Sequence, residues 1–173
     1  GHGNFVFKQL SKLLYLTQRN SLKGSKKNIQ AHYDLGNEFY KLWLDPSMTY
    51  SSAIFETEDQ DITSAQHNKY DRLLSKITQK KANILEVGCG WGGFAERAVL
   101  QGHTVKGITL SHEQADFAQQ RLQNSSAQIV IEDYRKQSGQ YDYIVSIEMF
   151  EAVGMRYWPV YFKKMRQLLK PGG

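Results

Sequence analysis

The run ILEVGCGWGG, residues 84 to 93, decides the fold. A short apolar stretch carries one carboxylate, Glu86, and leads into Gly88, Gly90, Gly92 and Gly93. This pattern predicts a buried strand that turns sharply into a helix. Glycines suit such a turn because no Cβ keeps a ligand away from the backbone.

The glycines alone do not name that ligand, since Gly88, Gly90 and Gly93 also satisfy the dinucleotide fingerprint G-x-G-x-x-G. Two features speak against NAD. Glu86 stands just before the first glycine, where a carboxylate repels a pyrophosphate but suits a cationic or hydroxyl-bearing ligand. The second strand ends in Thr109, Leu110 and Ser111, without the acid that holds a ribose diol in NAD proteins. S-adenosylmethionine, a sulfonium with a free amino group and no phosphate, fits better. The alternative is a glycine turn that only packs helix on strand.

Outward from the turn the chain alternates strands and helices. Thr63 to Gln66 has the form of a capping box, opening a helix whose Tyr70, Leu73, Leu74 and Ile77 follow the i, i+3, i+4, i+7 spacing. After the glycine turn come a helix ended by Gly102, a strand over 104–110, and a second capping box from Ser111 to Gln114. Strands over 128–131 and 141–147 follow, then a loop over 148–154 and an amphipathic helix with Pro159 in its first turn. The expected fold class is α/β: a parallel, doubly wound, Rossmann-like sheet with its ligand at the carboxyl ends of the strands. Glu86, Thr109, Gln114, Asp133, Tyr134, Glu148 and Glu151 all fall at those ends.

The segment over 31–56 is dense in aromatics and reads as a helix, stopped at Asp45 and Pro46, followed by a covering loop. Three regions result: a basic arm and linker over 1–30, a helical and aromatic covering segment over 31–82, and the cofactor domain over 83–173.

Charge is concentrated in the arm. Residues 1–30 hold six basic and no acidic side chains, against 16 basic and 17 acidic in the rest, for a net charge of +5. Val6, Phe7, Leu10, Leu13 and Leu14 interleave at helical spacing, which favours an anionic lipid interface over nucleic acid. Docking of the arm on the domain is the competing reading. The single cysteine, Cys89, excludes an internal disulfide and a cysteine zinc cage, so no metal is expected. No apolar run approaches a membrane span and no signal peptide is visible, which suits the cytoplasm, with peripheral binding at the inner membrane face.

With these residues laid out, the chain resembles the cyclopropane-fatty-acid synthase family, which includes mycolic-acid cyclopropane synthases and related lipid methyltransferases. The resemblance runs from about Ile29 to the end and is carried by HYDLGNEFYKLWLDPSMTYSSAIFE, LEVGCGWGG, TLSHEQ, DYR and IVSIEMFEAVG. It implies a class I S-adenosylmethionine-dependent methyltransferase fold. It also implies cofactor contacts from Tyr50, Ser51, Glu86, Gly88, Gly90, Gly92, Thr109, Leu110, Gln114, Asp133 and Tyr134. The implied reaction is attack of an acyl-chain double bond of an unsaturated phospholipid on the sulfonium methyl. A bound bicarbonate then serves as base, with Glu151 and the Ile147 backbone among its ligands.

Two positions depart from the family pattern. Ser52 replaces a cysteine and Ala152 a histidine, which opens C-methylation without ring closure beside cyclopropane formation. Glu148 is a second carboxylate in the same segment. The family also continues past Gly173 through further strands, so this stretch is expected to bind cofactor weakly, to lack turnover, and to leave the fourth strand as an edge open to homodimerisation. A small-molecule N-methyltransferase and a non-catalytic cofactor-binding module are the competing functions.

Overall fold

The computed structural model describes residues 36–173; the basic arm and the start of the aromatic block lie outside the described residues. The elements are α1 (Gly36–Lys41), α2 (Ile62–Leu74), β1 (Asn83–Val87), α3 (Gly93–Leu100), β2 (Thr104–Thr109), α4 (His112–Arg121), β3 (Ala127–Ile131), β4 (Tyr143–Val145) and α5 (Trp158–Leu168). Two 3-10 turns, Phe150–Val153 and Met155–Tyr157, connect β4 to α5.

The four strands are parallel in the order β3-β2-β1-β4, so β1 lies inside the sheet. A strand buried on both faces needs apolar side chains pointing both ways, and β1 provides them. Ile84 packs with Phe94, Ala95 and Ala98 of α3 and with Ala115 and Ala118 of α4. Leu85 and Val87 pack on the other side with Tyr161, Met165 and Leu168 of α5. Glu86 alternates onto the Ile84 face, beneath α3.

Small residues set how closely the layers approach. Gly92 has φ 86°, and a Cβ there would meet Ala118 Cβ at 3.1 Å, so its bareness lets α4 close on the turn. In β2, a Cβ on Gly107 would stand 2.6 Å from Ile129 Cδ1 and 2.9 Å from Cys89 Cβ. The bare strand there makes room for the turn. Arg97 joins α3 to α2 with a two-pronged bond to Asp71, 2.8 and 2.6 Å. Both partners are over a third exposed, so the pair contributes at most about 1 kcal/mol and apolar packing holds the helices together.

Two expectations need correction. The cap of α2 is Asp61, whose carboxylate accepts from the Ser64 amide at 2.9 Å and the Ser64 hydroxyl at 2.6 Å. Thr63 is engaged elsewhere, donating to Asp45 at 2.8 Å, and Asp is the stronger capping residue. The fourth strand is also shorter than 141–147. Tyr141 makes only an isolated bridge to Leu169, and past Val145 the Ser146 hydroxyl takes the Val87 carbonyl at 3.0 Å. The Ser111 cap stands as expected, accepting from the Gln114 amide.

Candidate active site

The glycine turn opens a cavity of about 210 Å³ at the carboxyl ends of the strands. Glu86, Gly88 and Gly90 form its floor, Thr109, Leu110 and Gln114 follow β2, and Asp133 and Tyr134 follow β3. Ile147 closes the β4 side, and Tyr50 and Ser51 line it from the covering loop. Gly92 stands outside this lining, turned toward α4. Ser52 and Glu151 line an adjoining outer cavity of about 520 Å³ instead, together with Trp43 and Gln66. Glu148, Tyr50 and Ser51 border both spaces.

Chain connectivity explains the covering loop. Asp45, 7% exposed, accepts from the Ser47 amide at 2.9 Å, the Thr49 amide at 3.3 Å and the Thr63 hydroxyl. Burial pushes its carboxyl up, but these bonds outweigh burial and hold it below the usual Asp range. Thr49 in turn bonds the Tyr70 hydroxyl at 2.9 Å. Tyr40 and Trp91 pack in a tilted pair under the loop with ring centroids 5.0 Å apart, and Trp91 Nε1 donates to Asn37 at 2.6 Å. Of the aromatics in this segment, Tyr40 is buried while Phe39 and Trp43 remain exposed.

Glu86 is the chemical centre of the floor. It is 3% exposed, and its Oε2 has no hydrogen-bond partner among the described residues. Burial drives its carboxyl well above the usual Glu value, opposed only by the Ala95 amide. An unpartnered buried carboxylate oxygen is costly unless a ligand donor completes it. The ammonium of an amino-acid moiety is such a donor, and a Cβ on Gly90 would meet nothing within 4 Å, so the backbone is open to a ligand there. The residues present therefore fit S-adenosylmethionine.

The side walls are partly engaged already. Thr109 donates to Gln114 Oε1 at 2.8 Å, which leaves the Gln114 amide hydrogens as the donors at that wall. Asp133 holds Arg135 through bonds of 2.8 and 2.5 Å; burial pushes its carboxyl up, but Arg135 wins and keeps it ionised. The Tyr134 ring stands edge-on to Tyr161 at 5.2 Å, which fixes its plane.

Sequence reasoning missed Lys69. It is 7% exposed and donates to Ser51 Oγ, to the Ser52 carbonyl at 2.8 Å and to Gln66 Oε1 at 2.6 Å. Its spacing from buried Ala65 placed it on the inward face of α2, a signal hidden by its charge. The Ser52 amide and hydroxyl both donate to Glu148.

The profile of the family described as Mycolic acid cyclopropane synthetase matches residues 20–173. Tuberculostearic acid methyltransferase UfaA1 of Mycobacterium tuberculosis is 41% identical over 161 residues, covering 86% of this chain and 38% of that protein. Cyclopropane-fatty-acyl-phospholipid synthase of Escherichia coli K12 is 40% identical over 144 residues, 82% of this chain and 37% of that protein. The crystal structure of mycolic acid cyclopropane synthase CmaA1 with SAH and CTAB superposes with a TM-score of 0.81 at 39% identity, covering 84% of this chain and 53% of that one. Coclaurine N-methyltransferase, at 17% identity and a TM-score of 0.69, shares the fold alone. The chain thus spans between about two-fifths and one-half of the length of these relatives. A four-stranded parallel sheet, a glycine turn with Glu86 beneath it and a match over nearly the whole chain lead to one assignment: this chain belongs to the mycolic acid cyclopropane synthetase family of class I S-adenosylmethionine-dependent methyltransferases.

Proposed function

We propose that the protein transfers a methyl group from S-adenosylmethionine to the double bond of an unsaturated fatty-acyl chain of a phospholipid, giving a cyclopropane or a methyl-branched product. The observation that carries the reading is the buried, unpartnered Glu86 Oε2 at the floor of a cavity lined by open glycine backbone. The names of the relatives, a fatty-acid methyltransferase and cyclopropane synthases, support the choice of an acyl acceptor.

When bound, the cofactor supplies an electrophilic sulfonium methyl. An alkene is a weak nucleophile, so the protein's part is alignment and exclusion of water. Glu86 and the backbone of Gly88 and Gly90 hold the amino-acid end, while Gln114 offers donors and Tyr134 a fixed ring face. Positive charge left on the acyl chain is stabilised by aromatic faces, and Tyr50 and Trp43 border the outer cavity. A bicarbonate ion would supply the base for proton removal; Glu151 and Ser52, which line the outer cavity, and the Ile147 backbone, which lines the inner one, would hold it in the full-length protein.

Labelled S-adenosylmethionine with the full-length protein and unsaturated phospholipid vesicles should place label in extracted fatty acids. Label in soluble amines instead would make the protein an N-methyltransferase, and label in neither a binding module. A product heavier by one CH2 with cyclopropyl proton resonances identifies ring closure; loss of activity in bicarbonate-free buffer identifies the base. Quenching of Trp91 fluorescence by S-adenosylhomocysteine and not by NADH checks the cofactor. The reading extends to work in the cytoplasm at the inner membrane face, with residues 1–30 on anionic lipid, and, for residues 1–173 produced alone, to pairing of copies through the β4 edge. Vesicle co-sedimentation that is lost on deleting the arm, and a dimer by size-exclusion chromatography, are the expected results.

A further inference from the structure

Among the described residues Lys69 is the only buried lysine, and it lies directly behind the roof of the cofactor cavity. All three ammonium hydrogens go to neutral oxygens, on Ser51, Ser52 and Gln66. No carboxylate among the described residues reaches it within ion-pair distance; Glu148 and Asp45 act only through space, and the Tyr70 ring lies 5.0 Å away. A buried cation without a paired carboxylate is costly, so its charge calls for a role beyond fastening a loop.

The two roof serines differ in what they have left to give. Ser52 has both its amide and its hydroxyl engaged by Glu148. Ser51 receives a hydrogen from Lys69, and its carbonyl is held by Gln66 Nε2 at 2.7 Å. An ammonium has donors only, so the Ser51 hydroxyl must accept from it and direct its own hydrogen elsewhere. Ser51 borders the cavity. A zwitterionic amino-acid group needs an acceptor for its ammonium, which Glu86 supplies, and a polarised donor for its carboxylate.

We propose that Lys69 is a positioning residue of the methyl-transfer site, its ammonium fixing the Ser51 hydroxyl as a donor to the carboxylate of the cofactor's amino-acid end. The inference rests on the S-adenosylmethionine reading. It has a pH signature: burial lowers the Lys69 pKa to about 8, with Glu148 and Asp45 opposing the shift. Above that pH a neutral amine can accept, the Ser51 hydrogen turns inward, and the carboxylate loses its donor.

The test is calorimetric titration of the full-length protein with S-adenosylhomocysteine and with 5′-methylthioadenosine, which lacks the amino-acid end. Lys69→Met should weaken S-adenosylhomocysteine about tenfold at pH 6.5, the scale of one charge-assisted hydrogen bond, and leave methylthioadenosine within about twofold. Ser51→Ala should show the same loss, and the double variant no further loss. Parallel weakening of both ligands by Lys69→Met, or no weakening of either, overturns the proposal. If Lys69→Met does not fold, the wild-type loss of S-adenosylhomocysteine affinity through pH 8 must be flattened in Ser51→Ala; an unchanged profile is equally fatal. Wild-type protein that binds neither ligand refutes the cofactor reading itself, and the inference falls with it.

Discussion

The amide and hydroxyl of Ser52 converge on one carboxylate oxygen of Glu148, 96 residues further along the chain, with the amide at 2.8 Å. This contact ties the covering loop to the turn after β4. Glu148 itself has φ 46°, a left-handed conformation that costs a non-glycine residue roughly 1–2 kcal/mol.

If that contact fastens the loop, Glu148→Ala should speed hydrogen exchange of the Ser52 amide at least tenfold. The Ser52 hydroxyl, with burial opposing it and the Ser52 amide and Lys69 assisting, holds the Glu148 carboxyl below the ordinary Glu value. A depressed acid pKa stabilises the folded contact above the unfolded value, about 4.3. Protection should therefore be full near neutrality and disappear as pH falls through the lowered folded value. Unchanged exchange in the variant would remove the contact from the account.

Glu86 predicts the opposite slope. Its folded pKa is raised by burial, so above about pH 4.3 the unfolded chain is ionised while the folded group keeps its proton. Stability without ligand then falls as pH rises through that window. Glu86→Gln should remove the slope, its gain in Tm over wild type growing as pH rises above the unfolded value, about 4.3. It should also weaken S-adenosylhomocysteine more than tenfold, and wild-type binding should release protons, read as a buffer-dependent enthalpy.

Gly90 and Gly88 separate ligand space from packing space. Gly90→Ala places a Cβ where nothing lies within 4 Å, at φ 52°, so about 1 kcal/mol of stability should be lost while S-adenosylhomocysteine binding drops at least tenfold. Gly88→Ala puts a Cβ 2.9 Å from Met149 Cγ, and Met149→Ala should recover part of its larger stability loss. Denaturant titrations of the three variants decide this.

Asp45 is the anchor of the loop. Asp45→Ala leaves the Ser47 and Thr49 amides and the Thr63 hydroxyl without their acceptor and should cost about 2–3 kcal/mol. The Tm deficit should shrink as pH falls through the lowered Asp45 pKa, because wild type then loses the same bonds.

The sheet and the glycine turn that opens the cavity were legible because local signals agreed there: the β1 run, the glycines and the Ser111 cap all pointed one way. The walls were legible only by position, since Asp133 and Gln114 reveal their bonds to Arg135 and Thr109 only once folded. Lys69 was hidden because hydrophobic periodicity counts a lysine as outward. The α2 cap was misplaced because Asp61 and Thr63 both fit the capping pattern, and tertiary pairing of Thr63 with Asp45 chose between them. The last strand was overextended because apolar composition marks burial and not ladder pairing.

The empty position at Gly107 ties the fate of two residues far apart in the chain. Cys89 and any side chain at 107 compete for one volume between β2 and the glycine turn. A larger residue at 89 is tolerated only if strand two stays bare, and a methyl at 107 requires a smaller residue at 89. Across natural variants of this sequence these two positions should therefore vary reciprocally in size, although neither needs to touch a substrate.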